Sequence, residues 1–403
     1  MIMPVHKAVR IGLCLLLLAE LLAVLLAAFS APGVGEPDFF PYWAAARLLG
    51  TGGNPYDPSS LRALAHEIRP DRGQDRGEAF ASWNPPWLLL FLLPLGLLPF
   101  DLAVRIWFLC QVALIVAASV LAWRMAARRS DWAGILLAVA VGLGSGQSVV
   151  ALLAGQVSGL LLIGLVLGAW WLRAGKDRLA GAALLFTTIK PHVTYFALVL
   201  FALWVMRHRR WQVFVGLAAA AALSIAALWA IFPGWVSAYF RLMGAYQSIF
   251  FRYSSATIGS LAHALWGTDF FRFAGLLLLP LAFCLLRVAD AQGWLTAMNI
   301  ALLISVPTAL YGFAFDQMVL LPAVLQMLAW LWDREIPLRS AWLIAGGLII
   351  AYIAFFAMLV VPPLHALNLV ACIPLAWAGL YALAWKQHTA MPGWISEHVE
   401  KGV

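Results

Sequence analysis

Residues 155–181 read GQVSGLLLIGLVLGAWWLRAGKDRLAG. From Leu160 to Leu172 the run is apolar and does not alternate. A membrane barrel strand would alternate over ~10 residues, so barrel architecture is excluded. Basic residues then arrive together, at Arg173, Lys176 and Arg178. An apolar run stopped by a basic cluster is how a membrane helix ends on the cytoplasmic side. The pairing recurs before Arg124, Arg128 and Arg129, and again before Arg207, Arg209 and Arg210.

The whole composition agrees. The chain has 403 residues, of which 64% are hydrophobic and 11% charged. Its mean hydropathy is +0.90. Soluble domains carry roughly 45–50% apolar and ~25% charged side chains, so a water-soluble globule is excluded. At ~20 residues per helical span, about twelve spans and one large loop account for the length. The fold class expected is therefore all-α, a polytopic integral membrane protein of about 12 transmembrane helices. The net charge of +8 is spread in short clusters between apolar runs, which argues for membrane orientation and against nucleic acid as a partner. Cys14, Cys110, Cys284 and Cys372 all lie inside apolar runs without metal-ligand spacing, and read as small buried hydrophobes. Lys7 and Arg10 precede an apolar run longer than a signal peptide's ~7–15 residues, so the first segment reads as a signal anchor.

Charge sets the expected topology. With Lys7 and Arg10 cytoplasmic, the first span covers roughly residues 10–30 and exits to a long polar external stretch, 31–83. Residues 84–98, NPPWLLLFLLPLGLL, are apolar but short and contain Pro94; they read as an interfacial or re-entrant helix. Counting them as a full span would put Arg124, Arg128 and Arg129 outside. Spans follow near 101–123, 132–149 and 157–172. Two short helices, about 179–189 and 192–206, meet at Lys190-Pro191-His192 on the outer side, and a span at 212–231 exits to a second external loop, 233–270. Further spans near 273–289, 294–311, 316–332, 340–361 and 366–385 leave both termini cytoplasmic. The whole chain, 1–403, reads as one domain: external loop with juxtamembrane helices at 31–100, a helical core at 101–232, the second loop at 233–270 and C-terminal helices at 271–403. No internal repeat stands out, which argues against a transporter.

Polar groups at membrane depth are expensive and usually functional, so they mark the candidate site. Asp38, in EPDFFPYW directly after the first span, puts a carboxylate in an aromatic interfacial setting beside Tyr42. Partial desolvation raises the basicity of such a carboxylate and suits a general base. The competing reading is an N-cap for the helix containing AAARLL. Asn54 and Tyr56, in GGNPYDP, mark a turn, either plain or ligand-binding. Trp83 and Asn84 precede Pro85-Pro86 where helix restarts; the tryptophans are ordinary interface anchors, and Asn84 is less easily explained. Gln156 either points into a cavity or caps a helix end. Lys190, beside His192, breaks two helices and needs an anion, for which a lipid phosphate is suited, or else snorkels to the headgroups. Arg252, Tyr253 and Ser254 lie in the second external loop, where arginine can grip phosphate or touch headgroups. Asp316 and Gln317, in YGFAFDQ, supply a second carboxylate near the outer face, or a helix cap. Glu20 sits within the first span with no partner evident in the sequence.

Taken in order, several of these segments resemble a known family. DFFPYWAAARLLGTGGNPYDP, NPPWLLLFLLPLGLLP, the opening stretch 155–181 and TTIKPHVTYFALVLFALWVMRHRRW are similar to family-87 glycosyltransferases, over roughly residues 36–215, with a fainter echo at FAFDQMVLLPAVL. The resemblance implies a GT-C fold with its catalytic Asp in a large external first loop, here Asp38. It implies a polyprenyl-phosphate-linked sugar as donor, mostly mannose giving an α-linkage, and a glycolipid or glycan acceptor. Lys190 would lie near the donor phosphate, with the Trp83–Pro86 and Gly155–Gln156 segments lining the cavity. Relatives often carry His where this chain has Asp316-Gln317, and a more amide-rich motif at Ser254-Ser255. No cofactor and no metal ion is expected. The location implied is a bacterial-type inner membrane, with the active site extracytoplasmic and converging on Asp38, Lys190, Arg252 and Asp316. The alternative function is a polyprenyl-lipid or glycolipid transporter or flippase.

Overall fold

A computed structural model describes residues 33–68, 81–246, 255–361 and 369–390, with single positions between 12 and 26. Among these residues every regular element is a helix and no strand occurs. In chain order they are α1 (Glu36–Gly50), α2 (Pro58–Ile68), α3 (Trp87–Gly96), α4 (Phe100–Ala126), α5 (Trp132–Gly144), α6 (Gly146–Ala154), α7 (Ser158–Arg173) and α8 (Asp177–Leu184). A 3-10 turn at Leu185–Ile189 leads to α9 (Pro191–Arg207), α10 (Gln212–Ile231), α11 (Trp235–Tyr246) and α12 (Ile258–Trp266). A 3-10 segment, Phe270–Leu278, precedes α13 (Leu281–Gln292) and α14 (Trp294–Ser305), and another, Ala314–Leu320, runs into α15 (Leu321–Trp332). The chain closes with α16 (Leu338–Val360), a 3-10 turn at Leu369–Cys372 and α17 (Ile373–Thr389).

Among the described residues, five stretches are long and apolar enough to cross a membrane: Phe100–Ala126, Gln212–Ile231, Ala314–Trp332, Leu338–Val360 and Leu369–Thr389. The number rises to seven if each of two bent pairs is one span. The twelve expected include a first span, 10–30, that lies mostly outside the described residues; several of the other expected spans do not form one long helix, for local reasons. The run expected to span at 132–149 is broken between α5 and α6, which bend by 53° where Ser145 ends one helix and caps the next, its hydroxyl accepting from Ser148 N–H. The run at 273–289 bends by 45° around Pro280, a residue that cannot continue the backbone ladder. α7, α9 and α14 are apolar but have 16, 17 and 12 residues, about 24, 26 and 18 Å at the helical rise, short of a ~30 Å hydrocarbon core. α3 has only 10 residues, about 15 Å, which fits an interfacial or re-entrant helix. The stretch expected as the second external loop, 233–270, carries α11 and α12.

The helices that end at the candidate site are central. In the Ala314–Trp332 span 78% of the apolar window is buried within the protein, against 11% for Gln212–Ile231 and 17% for Leu338–Val360. α7 buries most of its length, from Ser158 to Leu172. α10 and α16 therefore form the lipid-facing periphery. The cysteines fall there too: Cys14, Cys110 and Cys284 are exposed and Cys372 is half-buried, so the expectation of buried thiols is corrected. Apolar runs fix membrane depth, but a cysteine on a helix is as compatible with lipid as with a protein core.

Candidate active site

The site begins with two glycines. Gly35, with φ 74°, ends the approach to α1, and its N–H donates to the Leu153 carbonyl at 2.9 Å. Gly155, with φ 73°, caps the end of α6. Both sit in the left-handed region that glycine enters without steric cost. A Cβ on Gly155 would collide with the Gly35 carbonyl oxygen. The Trp107 indole N–H donates to the Gly155 carbonyl at 2.9 Å and fixes the turn from beneath. This close passage lays the first turn of α1 against the residue after Gly155, which is Gln156.

Asp38 lies inside the first turn of α1, whose N-cap is Gly35. It is therefore not a helix cap. Its Oδ2 instead accepts a hydrogen bond from Gln156 Nε2 at 2.7 Å, and Asp38 stays half-buried. Among the described residues no hydrogen bond engages its Oδ1. Gln156 does not cap α7, whose N-cap is Val157. Its Oε1 accepts from Lys190 Nζ at 2.9 Å and, more weakly, from the Tyr42 hydroxyl at 3.5 Å. Tyr42 is one helical turn beyond Asp38, on the same face of α1. Burial, with the Asp38 charge nearby, raises the Tyr42 hydroxyl pKa, so it stays protonated, and Asn84 lies within hydrogen-bonding reach of it.

Lys190 is the break between the 3-10 turn and α9, with Pro191 as the first residue of the new helix. It neither snorkels nor lies open to solvent: only 8% of it is exposed. Its partner is Asp316, whose Oδ1 accepts from Nζ at 2.7 Å. The second Asp316 oxygen accepts from the Phe313 N–H at 3.0 Å, so this carboxylate caps the start of its helical segment and also pairs with Lys190, a partner the sequence reading did not assign to it. The Lys190 ammonium also lies 4.6 Å from the Phe315 ring centroid, a cation–π contact. Asp38, Gln156, Lys190 and Asp316 thus form one continuous chain of hydrogen bonds drawn from four separate parts of the sequence.

The other candidates fall around or away from this chain. His192 stacks on Tyr311, with centroids 3.8 Å apart, and its Nε2 is buried without a hydrogen-bond partner. Asn54 uses its Oδ1 to hold the Tyr56 N–H at 3.0 Å, an Asx-type turn. Tyr56 packs edge-on against Tyr239 of α11, so this loop's contacts run to α11. Trp83 is half-buried against the apolar core. Gln317 turns away: its Nε2 donates to the Val370 carbonyl at 2.9 Å, and it lines a separate apolar cavity of about 450 Å³ into which Glu20 also faces. Arg252, Tyr253 and Ser254 lie outside the described residues. Tyr311, Phe315 and Trp107 were not among the expected site residues. The first two stand in the same YGFAFDQ segment that carries Asp316, which is a usable signal; Trp107 is one of 20 tryptophans and carries none. Among the described residues no group of three His, Cys, Asp or Glu side chains could hold a metal ion.

A bundle of apolar helices, several long enough to cross a membrane, with a carboxylate, an amide and a buried lysine–carboxylate pair in one hydrogen-bonded chain defines a multi-span protein with a polar cluster where its central helices begin. A family model for glycosyltransferase family 87 matches residues 83–311. The chain belongs to that family and is a glycosyltransferase. The match takes in Asn84, Gln156, Lys190, His192 and Tyr311, extends nearly a hundred residues beyond the segments that carried the resemblance, and leaves Asp38 and Asp316 outside it. No curated protein and no solved structure matches the chain.

Proposed function

We propose that this glycosyltransferase takes its sugar from a polyprenyl-phosphate donor and passes it to a lipid-linked or glycan acceptor. The sugar in this reading is mannose, the product α-linked, the fold of GT-C type with about twelve spans, and the site extracytoplasmic in a bacterial-type inner membrane with both termini cytoplasmic. The observation that carries it is the 2.7 Å bond from Gln156 to Asp38, at the head of a chain ending on Lys190 and Asp316. One carboxylate oxygen is held and the other is left to a substrate, which suits a general base.

In the proposed step, Asp38 Oδ1 takes the proton of the acceptor hydroxyl. The acceptor oxygen forms its bond to the anomeric carbon from the face opposite the phosphate. The bond from that carbon to the phosphate oxygen breaks, and its electron pair leaves with polyprenyl phosphate. The configuration inverts, β to α. The departing charge needs a fixed electrostatic partner. Lys190 has three N–H donors, two of them engaged by Gln156 and Asp316; the third is assigned to a phosphate oxygen, with His192 and Arg252 as further contributors.

The test is a transfer assay with purified protein and synthetic polyprenyl-phosphate mannose, glucose, galactose and arabinose against membrane glycolipids. Transfer from the mannosyl donor, abolished in Asp38→Asn, is the expected result. Transfer from a soluble nucleotide sugar overturns the donor assignment. Unchanged transfer in Asp38→Asn overturns its role as base, and lipid movement without transfer supports the flippase alternative.

A further inference from the structure

α7, α9 and α15 each begin at the candidate site, after Gln156, Lys190 and Asp316, and each ends at charged residues: Arg173, Arg207 with Arg210, and Asp333 with Glu335. Between these far ends lies a second cavity of about 580 Å³. Its volume falls within the ~300–1,000 Å³ of small-ligand sites. Its floor is polar: Gln326 donates to Thr296 at 3.0 Å and accepts from Asn299 at 2.7 Å, while Asn299 Oδ1 and the indole N–H of the lining Trp204 are buried without a partner. Its rim is cationic. Arg128, Arg173 and Arg210 line it, with Glu335 as the one acidic lining residue.

The rim guanidiniums differ in their partners. Arg128 pairs with Glu335, and Arg210 pairs with Asp177 through one edge of its guanidinium. Arg173 donates to the Met125 carbonyl at 3.0 Å and not to a carboxylate. Arg173 is thus the lining guanidinium that no carboxylate holds, at the mouth of a cavity walled by Trp204, Trp294 and Trp330, while Asp333 at the same end accepts from the Arg128 backbone N–H. A planar guanidinium matches phosphate in bidentate geometry. Basic pockets between membrane helices on the cytoplasmic side are where anionic headgroups seat.

We propose that this cavity binds a phosphate-bearing anion, gripped by Arg173, at the end of the bundle opposite the glycosyl-transfer site. The inference is independent of the donor assignment above. Both an anionic phospholipid and a soluble phosphate present this chemistry.

The experiment uses delipidated full-length protein in neutral detergent. Binding of phosphatidylglycerol, of phosphatidylcholine and of inorganic phosphate is measured by native mass spectrometry and by the shift in melting temperature. Three variants accompany the wild type: Arg173→Gln, Arg173→Lys, and Arg339→Gln, an exposed basic residue outside the cavity. Expected are a shift with phosphatidylglycerol or with phosphate but not with phosphatidylcholine, about tenfold or greater weakening in Arg173→Gln, partial retention in Arg173→Lys, and wild-type behaviour in Arg339→Gln. A response to phosphatidylglycerol alone assigns a lipid source, and a response to phosphate alone a soluble one. Equal binding of the zwitterionic lipid, equal binding by Arg173→Gln, or equal weakening by Arg339→Gln overturns the proposal.

Discussion

Gln156 has one end that donates and one that accepts, and its neighbours decide which way round it sits. The Lys190 ammonium can only donate, so it takes Oε1, and Nε2 is turned onto Asp38. Asp316 in turn holds Lys190 in place. The orientation of the proposed base thus rests on a buried ion pair two residues removed. Asp38→Asn keeps the shape and removes the base, and is expected to lower turnover by about 10²–10⁴-fold, with helicity by circular dichroism and melting temperature unchanged. Lys190→Met strips the partner from a carboxylate that is 2% exposed. An unpaired buried charge costs about 3–5 kcal/mol, so this variant is expected to melt well below wild type. Lys190→Met with Asp316→Leu removes both charges and is expected to recover much of that loss, though not the cap on Phe313. With Asp316→Leu alone completing a double-mutant cycle on melting, a double variant destabilised by the sum of the two single variants would show that the pair is not coupled as its geometry indicates.

Among the elements, the glycine contact between the start of α1 and the end of α6 joins the first loop to the central helices beside the packing of Phe39 and Trp43 on Phe100 and Trp107 of α4. Gly155→Ala imposes a left-handed backbone on an L-residue, about 1–2 kcal/mol, and drives its Cβ into the Gly35 carbonyl. Expected is a large loss of activity with only modest destabilisation, because Asp38 and Gln156 are pushed apart while the bundle persists; retained activity would show that the first turn of α1 adjusts freely. A second glycine contact works elsewhere: a Cβ on Gly216 of α10 would meet the Arg178 backbone of α8, so Gly216→Val is expected to destabilise by about 1–3 kcal/mol through overpacking, measured by thermal melting. How much of this is legible in the chain follows from its physics. Runs and basic clusters give helices and their approximate ends, and Lys190-Pro191 marks its own break because proline begins a helix and cannot extend one. The capping roles expected for Asp38 and Gln156 are absent, since only geometry shows that Gly35 and Val157 occupy those positions. The bend at Ser145 carries a signal in Gly144-Ser145-Gly146-Gln147-Ser148, but hydropathy over the mostly apolar run 132–149 does not register direction. Nor could spacing pair Lys190 with Asp316, 126 positions apart.

At the scale of the whole molecule the charges sort to two ends. The hydrogen-bonded chain of Asp38 to Asp316 stands where α7, α9 and α15 begin, and the arginine-rimmed cavity stands where they end. If positive charge faces the cytoplasm, the cavity is cytoplasmic and the candidate site is external. That orientation decides the chemistry of the donor. Nucleotide sugars are made in the cytoplasm, so an external site needs a donor carried through the bilayer on a lipid, whereas a cytoplasmic site would not. The orientation is measurable with single cysteines in a background where Cys14, Cys110, Cys284 and Cys372 are replaced by serine or alanine. Ala63→Cys, exposed on α2, reports the first loop, and Ala174→Cys, exposed after α7, reports the basic end. With a membrane-impermeant maleimide, intact spheroplasts are expected to label Ala63→Cys at once and Ala174→Cys only after permeabilisation. The reverse pattern would place the Asp38 site beside the cytoplasmic pool of nucleotide sugars, and the polyprenyl-phosphate donor would lose the physical reason for its assignment.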